Sequence, residues 1–243
     1  MARSSSKMTA EIIPPNESVM IGGKMAALRW RRSSRARRIA LKIDPRVGAI
    51  VITLPPRGSR RSGLALLHSH EAWVVAHLDA LPGALVISAG NNIPVFGKPH
   101  LILHDPSHRG STLIADSKIV VSGESEFIGR RVRDALRLLA ADEFASKAKS
   151  KATAISTKPL LVKVKDTTSR WGSCTANGVL MFSWRLIMAP EFVQDYVISH
   201  EVAHLRYMNH AESFWQLTDS LTPYRSAAST WLKENGPKLL RLC

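Results

Sequence analysis

The chain opens its readable pattern with alternation. In "RIALKIDPRVGAIVITLP", Ile39, Leu41 and Ile43 recur at every second position, and so do Ile50, Ile52 and Leu54. Asp44, Pro45 and Gly48 fall between the two runs. A period of two around turn residues predicts an antiparallel hairpin with one buried face. Pro55-Pro56 ends it. Residues 60 to 80 shift to a helical period, with Leu67, Val74 and Leu78 on one stripe and Pro82-Gly83 as the stop. "IPVFGKPHLILHD" predicts a second hairpin turning at Gly97-Lys98-Pro99, and "SKIVVSG" predicts another strand. Residues 125 to 150 predict a long amphipathic helix whose apolar side is Phe127, Val132, Leu136, Leu139 and Phe144. "LLVKVKDTTSRWGSC" and "GVLMFSW" predict strands joined through "TANG", where Asn177-Gly178 favours a tight two-residue turn. Three helices are expected to follow, at about 191 to 208, 212 to 220 and 224 to 235.

Strands, helix, strands, helix, hairpin and then helices define an α+β protein. Its 243 residues suffice for one large domain or two small ones. Residues 1 to 26 are polar, with Pro14-Pro15 and Gly22-Gly23, and are expected to form a flexible tail. Residues 27 to 122 are expected to form an N-terminal β-rich subdomain, and 123 to 243 a second subdomain.

Composition narrows the partners. No window holds 18 apolar residues, so no membrane span is expected. The start lacks the apolar core of a secretory signal, and neither Cys174 nor Cys243 belongs to a CxxC pair. A reducing, cytoplasmic setting is therefore expected, with any metal held by imidazole rather than thiolate. The net charge is +15 and the pI about 10.4. Six arginines lie in "RWRRSSRARR", residues 29 to 38. This Arg29 to Arg38 run makes nucleic acid a candidate partner, with Trp30 available to stack; a solvated edge that only keeps the protein soluble is the competing reading.

The chemistry concentrates in "SHEVAHLRYMNH", residues 199 to 210. Residues four apart share a helix face, so His200 and His204 project side by side toward one metal ion. Glu201 flanks that face, where its carboxylate reaches a water on the metal and acts as general base. The metal lowers the pKa of that water toward about 7, and the glutamate takes its proton as it attacks a carbonyl. The helix is well specified, with Pro190 at its start, Glu191 and Asp195 in its early turns, and Phe192, Val193, Val197, Ile198, Val202 and Leu205 as apolar cover. The same chain holds a contrast: in "HSHEAWVVAH", position 74 is valine, so His68, His70 and His77 lack an i, i+4 pair. His100, His104 and His108 sit in loop or strand context without a ligand pattern.

A metal site needs a third protein ligand. His210 is favoured, with Glu212 and Glu234 as the competing candidates. On a continuous helix His210 would lie about 9 Å beyond His204, so the helix must end near Met208-Asn209 and fold back, with Asn209 supplying the left-handed conformation. The spacing matches metzincins, but Tyr207 stands at their glycine position and no methionine follows Met208 to make a Met-turn. Three imidazoles suit Zn²⁺, one per chain; nickel, cobalt and iron accept the same donors.

These motifs resemble the YgjP-like metal-dependent hydrolases, relatives of the SprT-like zincins. The resemblance rests on "SRWGSC" (169 to 174), "WRLIMAP" (184 to 190), "YVISHEVAHL" (196 to 205) and "NHAESFW" (209 to 215), and on the earlier "RRSSRARRIALKIDP" and "VFGKPHLIL". It spans roughly residues 27 to 236. It implies a zincin-like metallopeptidase fold in which the 123 to 243 subdomain is catalytic, His200, His204 and His210 bind the metal and Glu201 is the base. It implies a peptide or protein substrate held extended along an edge strand, for which "GVLMFSW" is the candidate. One departure is Ser183, where relatives often carry asparagine.

Arg170, Trp171 and Ser183 are the candidate substrate-binding residues, Trp171 reading more readily as a packing anchor. Cys174 reads as a small buried apolar residue, and Tyr196 and Tyr207 as packing residues. Phe214 and Trp215 are expected to wedge the next helix and fix His210. The function expected is a zinc-dependent metallopeptidase. The alternative is a nucleic-acid-associated protein with a structural zinc, or a protease recruited to DNA.

Overall fold

The structure is a computed structural model that describes residues 17–167 and 170–242. The chain divides into two compact units, one through Gly83 and one from Ala84.

The first unit holds a four-stranded sheet: β1 (Glu17–Ile21), β2 (Lys24–Arg32), β3 (Ala40–Asp44) and β4 (Ala49–Leu54), in the order β1-β2-β4-β3. The 39 to 54 hairpin forms as its alternation predicts, with Ile43 opposite Ile50 and Leu41 opposite Ile52. Residues 17 to 26, expected in the tail, instead build β1 and begin β2. Gly22 and Gly23, which suggested looseness, adopt φ of +55° and +74° and close the β1–β2 turn, leaving Ile21 buried. Residues 1 to 16 of the expected tail lie outside the described residues. The helix expected over 60 to 80 is two, α1 (Arg60–Ser69) and α2 (Glu71–Asp79), hinged at His70. Leu67 and Val74 from these helices cover Leu28, Trp30, Ile50, Ile52 and Leu54 of the sheet. Trp30 is buried and its indole N–H donates to the Glu17 carboxylate, so it is not available to stack on a base.

The second unit begins earlier than the sequence suggests, at residue 84 rather than 123. The reason is a shared core. β5 (Asn92–Val95), β6 (Lys98–His104), β7 (Leu113–Ala115) and β8 (Lys118–Val121) form a sheet of order β5-β6-β8-β7. Its Ile93, Val95, Ile102, Ile119 and Val121 pack in one cluster with Val132, Leu136 and Phe144 of α3 (Ile128–Ala154). The β5–β6 turn is Phe96-Gly97, both at positive φ, one residue before the expected position.

α3 buries Ile128, Val132, Leu136, Ala140, Phe144, Ala148 and Ala152. A spacing of four advances about 40° around the helix at each step, so the buried stripe winds. Different elements therefore cover α3: β8, a second sheet and the helix that follows it at 191–203. That sheet comprises β9 (Leu161–Lys165), β10 (Gly172–Cys174) and β11 (Val179–Ser183), in the order β10-β11-β9. β11 is its centre, antiparallel to β10 and parallel to β9, so "GVLMFSW" is not the edge strand it was expected to be. The edge that meets the next helix is β10.

α4 (Glu191–Ala203) carries the motif and is buried by α3, α5 (Glu212–Leu221), α6 (Arg225–Leu240) and β10. Polar ties fix it. Gln194 donates to the Ala189 carbonyl at 2.8 Å, and Lys151 of α3 reaches both Asp195 at 2.7 Å and the Leu221 carbonyl at 2.8 Å. Among the described residues, no helix is long and apolar enough to cross a membrane.

Candidate metal centre

α4 ends at Ala203, five residues before the expected end. His200 is in its last turn and His204 is the capping residue. The chain then turns through 205 to 211, with the Leu205 N–H donating to Val202 and the Arg206 and Tyr207 N–H groups both donating to Ala203. No left-handed residue is used: Asn209 is not among the described residues at positive φ. The early stop brings His210 back beside the helix instead of far along its axis.

The ligand atoms of His200, His204 and His210 all lie within 4.8 Å of one another. The Nε2 atoms of His200 and His210 are 3.2 Å apart. An ion held tetrahedrally at about 2.0–2.1 Å from each imidazole separates its ligand atoms by about 3.3 Å. His204 Nδ1 donates to the Tyr207 carbonyl at 2.9 Å, which fixes the tautomer and leaves Nε2 with its lone pair. Burial, with the neighbouring His204, His210 and Arg225, pushes the His200 pKa down to about 4. Burial also lowers that of His204, against the Tyr207 carbonyl and with His210. Both rings are thus neutral at pH 7, the form that ligates metal. Geometry and protonation fit a divalent ion with nitrogen preference.

Phe214, fully buried, lies under all three rings, with centroids 4.9, 4.5 and 4.7 Å from those of His200, His204 and His210. Trp215 flanks His210 at 5.4 Å, and the Arg225 guanidinium covers its outer face at 3.8 Å. The expected wedge is present and supports all three imidazoles.

Glu201 is 6% exposed, and its burial raises its pKa to about 7 against the opposing charge of Arg170. The backbone of β10 presses on it: a Cβ at Gly172 would lie 2.6 Å from Glu201 Cγ and Oε1. This glycine lies inside the "SRWGSC" motif, but no local pattern reveals its contact with Glu201. Arg170, Gly172, Ser173, Cys174 and Met208 line, with Glu201 and the three histidines, an open groove of about 460 Å³.

Of the three substrate-binding candidates, Arg170 alone lines this groove. Trp171 packs on α6, where a Cβ at Gly236 would lie 3.1 Å from its ring, and it borders a separate groove with Leu232 and Pro237. Ser183 is 1% exposed in β11, and its N–H donates to the Trp171 carbonyl. It is a core residue because β11 is central. Ser169 lies outside the described residues. Cys174 lines the groove half-buried, and burial with the Glu201 charge pushes its thiol up to about 11, so it stays protonated. Tyr207 contributes its carbonyl, not its ring, to the centre.

An α+β unit that gathers three imidazoles and a buried carboxylate at one groove has the equipment of a metal-dependent hydrolase of the metallopeptidase class. The comparison with known families agrees over most of the chain. The model of the YgjP-like, metallopeptidase domain family matches residues 37–235, and the chain belongs to that family. No curated protein matches it. A solved structure with some likeness is the metallopeptidase zymogen abylysin of Pyrococcus abyssi, 20% identical over 42% of this chain and 97% of that one, with a TM-score of 0.33.

Proposed function

We propose that the chain is a zinc-dependent peptidase in which His200, His204 and His210 hold the ion and Glu201 moves the proton. The observation that carries this is the convergence of three imidazole ligand atoms within 4.8 Å on the groove that Glu201 lines. Three nitrogen donors suit zinc and leave a coordination position open. When bound, the ion supplies Lewis acidity, polarising a carbonyl and acidifying water.

The chain's own residues do the rest. A Glu201 carboxylate oxygen accepts a proton from the attacking water as the water oxygen bonds to the carbonyl carbon. The same carboxyl returns that proton to the amide nitrogen as the C–N bond breaks. Gly172, by lacking a Cβ, lets β10 hold the carboxylate in place. β10 also suits an extended peptide. Trp171 and Thr175 direct their main-chain bonds toward β11, so alternation turns the N–H and C=O of Gly172 and Cys174 to the open edge. Arg170, at the groove, offers a cation to a substrate carboxylate or carbonyl.

The test pairs two variants. Glu201→Gln keeps about one zinc per chain by elemental mass spectrometry and loses peptide-library turnover; His210→Ala loses the metal. Turnover retained in metal-loaded Glu201→Gln would sink the mechanism, and nickel, cobalt or iron in place of zinc would correct the ion.

A further inference from the structure

The positive charge of the first unit is arranged, not scattered. Residues 17 to 83 carry twelve Lys or Arg and four Asp or Glu. All four acids are engaged. Glu17 pairs with Arg60, Asp44 with Arg46 and Arg29, and Asp79 with Lys24, while Glu71 accepts from the Gly22 N–H. Arg32 is committed to the carbonyls of Pro55 and Pro56. Arg31, Arg35, Arg37, Arg38, Arg57 and Arg61 are exposed, and none has a hydrogen bond or ion pair to a described residue.

Topology brings these six to one end of the sheet. β2 and β4 run parallel, ending in register at Arg32 and Leu54, and antiparallel β3 begins at Ala40 opposite Thr53. The 33 to 39 loop and the 55 to 59 segment therefore leave the same end. Arg37, Arg38 and Arg57 line one groove there, of about 500 Å³, floored by Ile39, Pro55 and Pro56. The N-terminus of α1 opens at the same place with Arg60 and Arg61 in its first turn and no acid. Cations there oppose the helix dipole and cost stability, which an arriving anion would recover.

We propose that this end of the first unit binds the phosphate backbone of double-stranded nucleic acid, independent of sequence. The cations are all arginine, whose planar fork matches phosphate oxygens. Trp30, the sole aromatic of the 29 to 38 run, is buried, so that run offers no platform for unstacked bases. An acidic protein partner would want an apolar centre, and the groove supplies mainly the edges of two prolines and Ile39. The inference stands apart from the peptidase reading, since none of the six belongs to the metal centre.

The test is fluorescence anisotropy of the full chain with a labelled DNA duplex of about 20 base pairs, in chelator to silence the histidine cluster. Log affinity should fall against log salt with a slope of about −5 if all six arginines meet phosphates, roughly a thousandfold between about 50 and 200 mM. Arg37→Ala/Arg38→Ala/Arg57→Ala should make the slope shallower by roughly 3. Lys149→Gln/Lys158→Gln/Lys163→Gln removes the same charge from exposed positions in the other unit and should leave the slope unchanged. Circular dichroism confirms that both triple variants fold; Arg37→Lys/Arg38→Lys/Arg57→Lys, which keeps the charge, should bind with near wild-type slope. No binding at low salt, equal effects of the arginine and lysine triples, equal competition by polyglutamate, or preference for single strands would each overturn the proposal.

Discussion

Gly172→Ala separates the folding role of β10 from the role proposed for it in holding Glu201. A methyl group at 172 would sit 2.6 Å from both Cγ and Oε1 of Glu201 and 2.8 Å from Cδ. Unbonded heavy atoms prefer about 3.5–4.0 Å, so one partner must give by about 1 Å. The φ of Gly172 is not in the left-handed region, so alanine is allowed in the strand and the cost is contact alone. β10 is tied to β11 by its ladder, with Gly172 opposite Phe182. The Glu201 side chain is the softer side, and its carboxylate swings. Overpacking of this kind costs about 1–3 kcal/mol, less where a side-chain end can turn away. With Glu201 as the proposed base, a displacement of about 1 Å costs on the order of 10²-fold in rate, or about 2.7 kcal/mol of barrier. The expected result is kcat lower by about 100-fold, with metal content equal to wild type and a thermal midpoint lower by a few degrees. Peptide-library cleavage, elemental mass spectrometry and calorimetry on one preparation measure all three. A metal-loaded, folded variant with kcat within about twofold of wild type would refute the reasoning.

Two further outcomes follow from the packing. Phe214→Ala removes the ring that supports all three imidazoles and should cost about 3–5 kcal/mol, together with measurably weaker metal retention against a chelator; unchanged retention would mean that the histidines hold their positions without it. In the first unit, burial raises the Asp44 pKa, but hydrogen bonds from Arg46 and the charges of Arg46 and Arg29 outweigh it, and the net value falls below the ordinary 3.8. A folded value below the unfolded one gives stability that is present above the unfolded pKa and lost as pH falls through the folded one. Asp44→Asn should therefore melt lower than wild type at pH 7, and the gap should close below about pH 3.8; a gap independent of pH would refute the assignment.

Local pattern carried the reading furthest where the physics is local. The 39 to 54 hairpin, the long helix over 128 to 154 and the pairing of His200 with His204 each depend on residues within one or two turns of one another. Errors came where distant segments decide. Parallel pairings of β2 with β4, β6 with β8 and β11 with β9 need crossovers that no periodicity reveals, and so local pattern alone makes β11 an edge. The boundary after Gly83 depends on the β5–β8 sheet sharing its core with α3. β7 has three residues, too few for alternation to register. Leu205 continues the apolar pattern of α4 past its true end, whereas the turn after Ala203 and the bond from His204 to Tyr207 stop the helix.

That division between local and distant runs through the centre itself. The three histidines, Phe214 and Trp215 span sixteen consecutive positions, so a short stretch of chain can gather the ligands and their support. The setting also favours a cation: the C-terminal end of α4 carries the negative pole of the helix, and burial keeps His200 neutral, with its lone pair free. The proposed base is different. Glu201 is next to His200 in sequence, but its surroundings, Gly172 and Arg170, come from a segment about thirty residues earlier. On the proposed mechanism, metal affinity is thus a property of one local motif, and proton transfer a property of how β10 docks on α4. Changes to the three histidines or to Phe214 should act on both quantities together, whereas Glu201→Gln should spare the ion. A side chain added at Gly172 should act on turnover while the ion stays bound, because the nearest atoms it would meet are those of the Glu201 carboxylate.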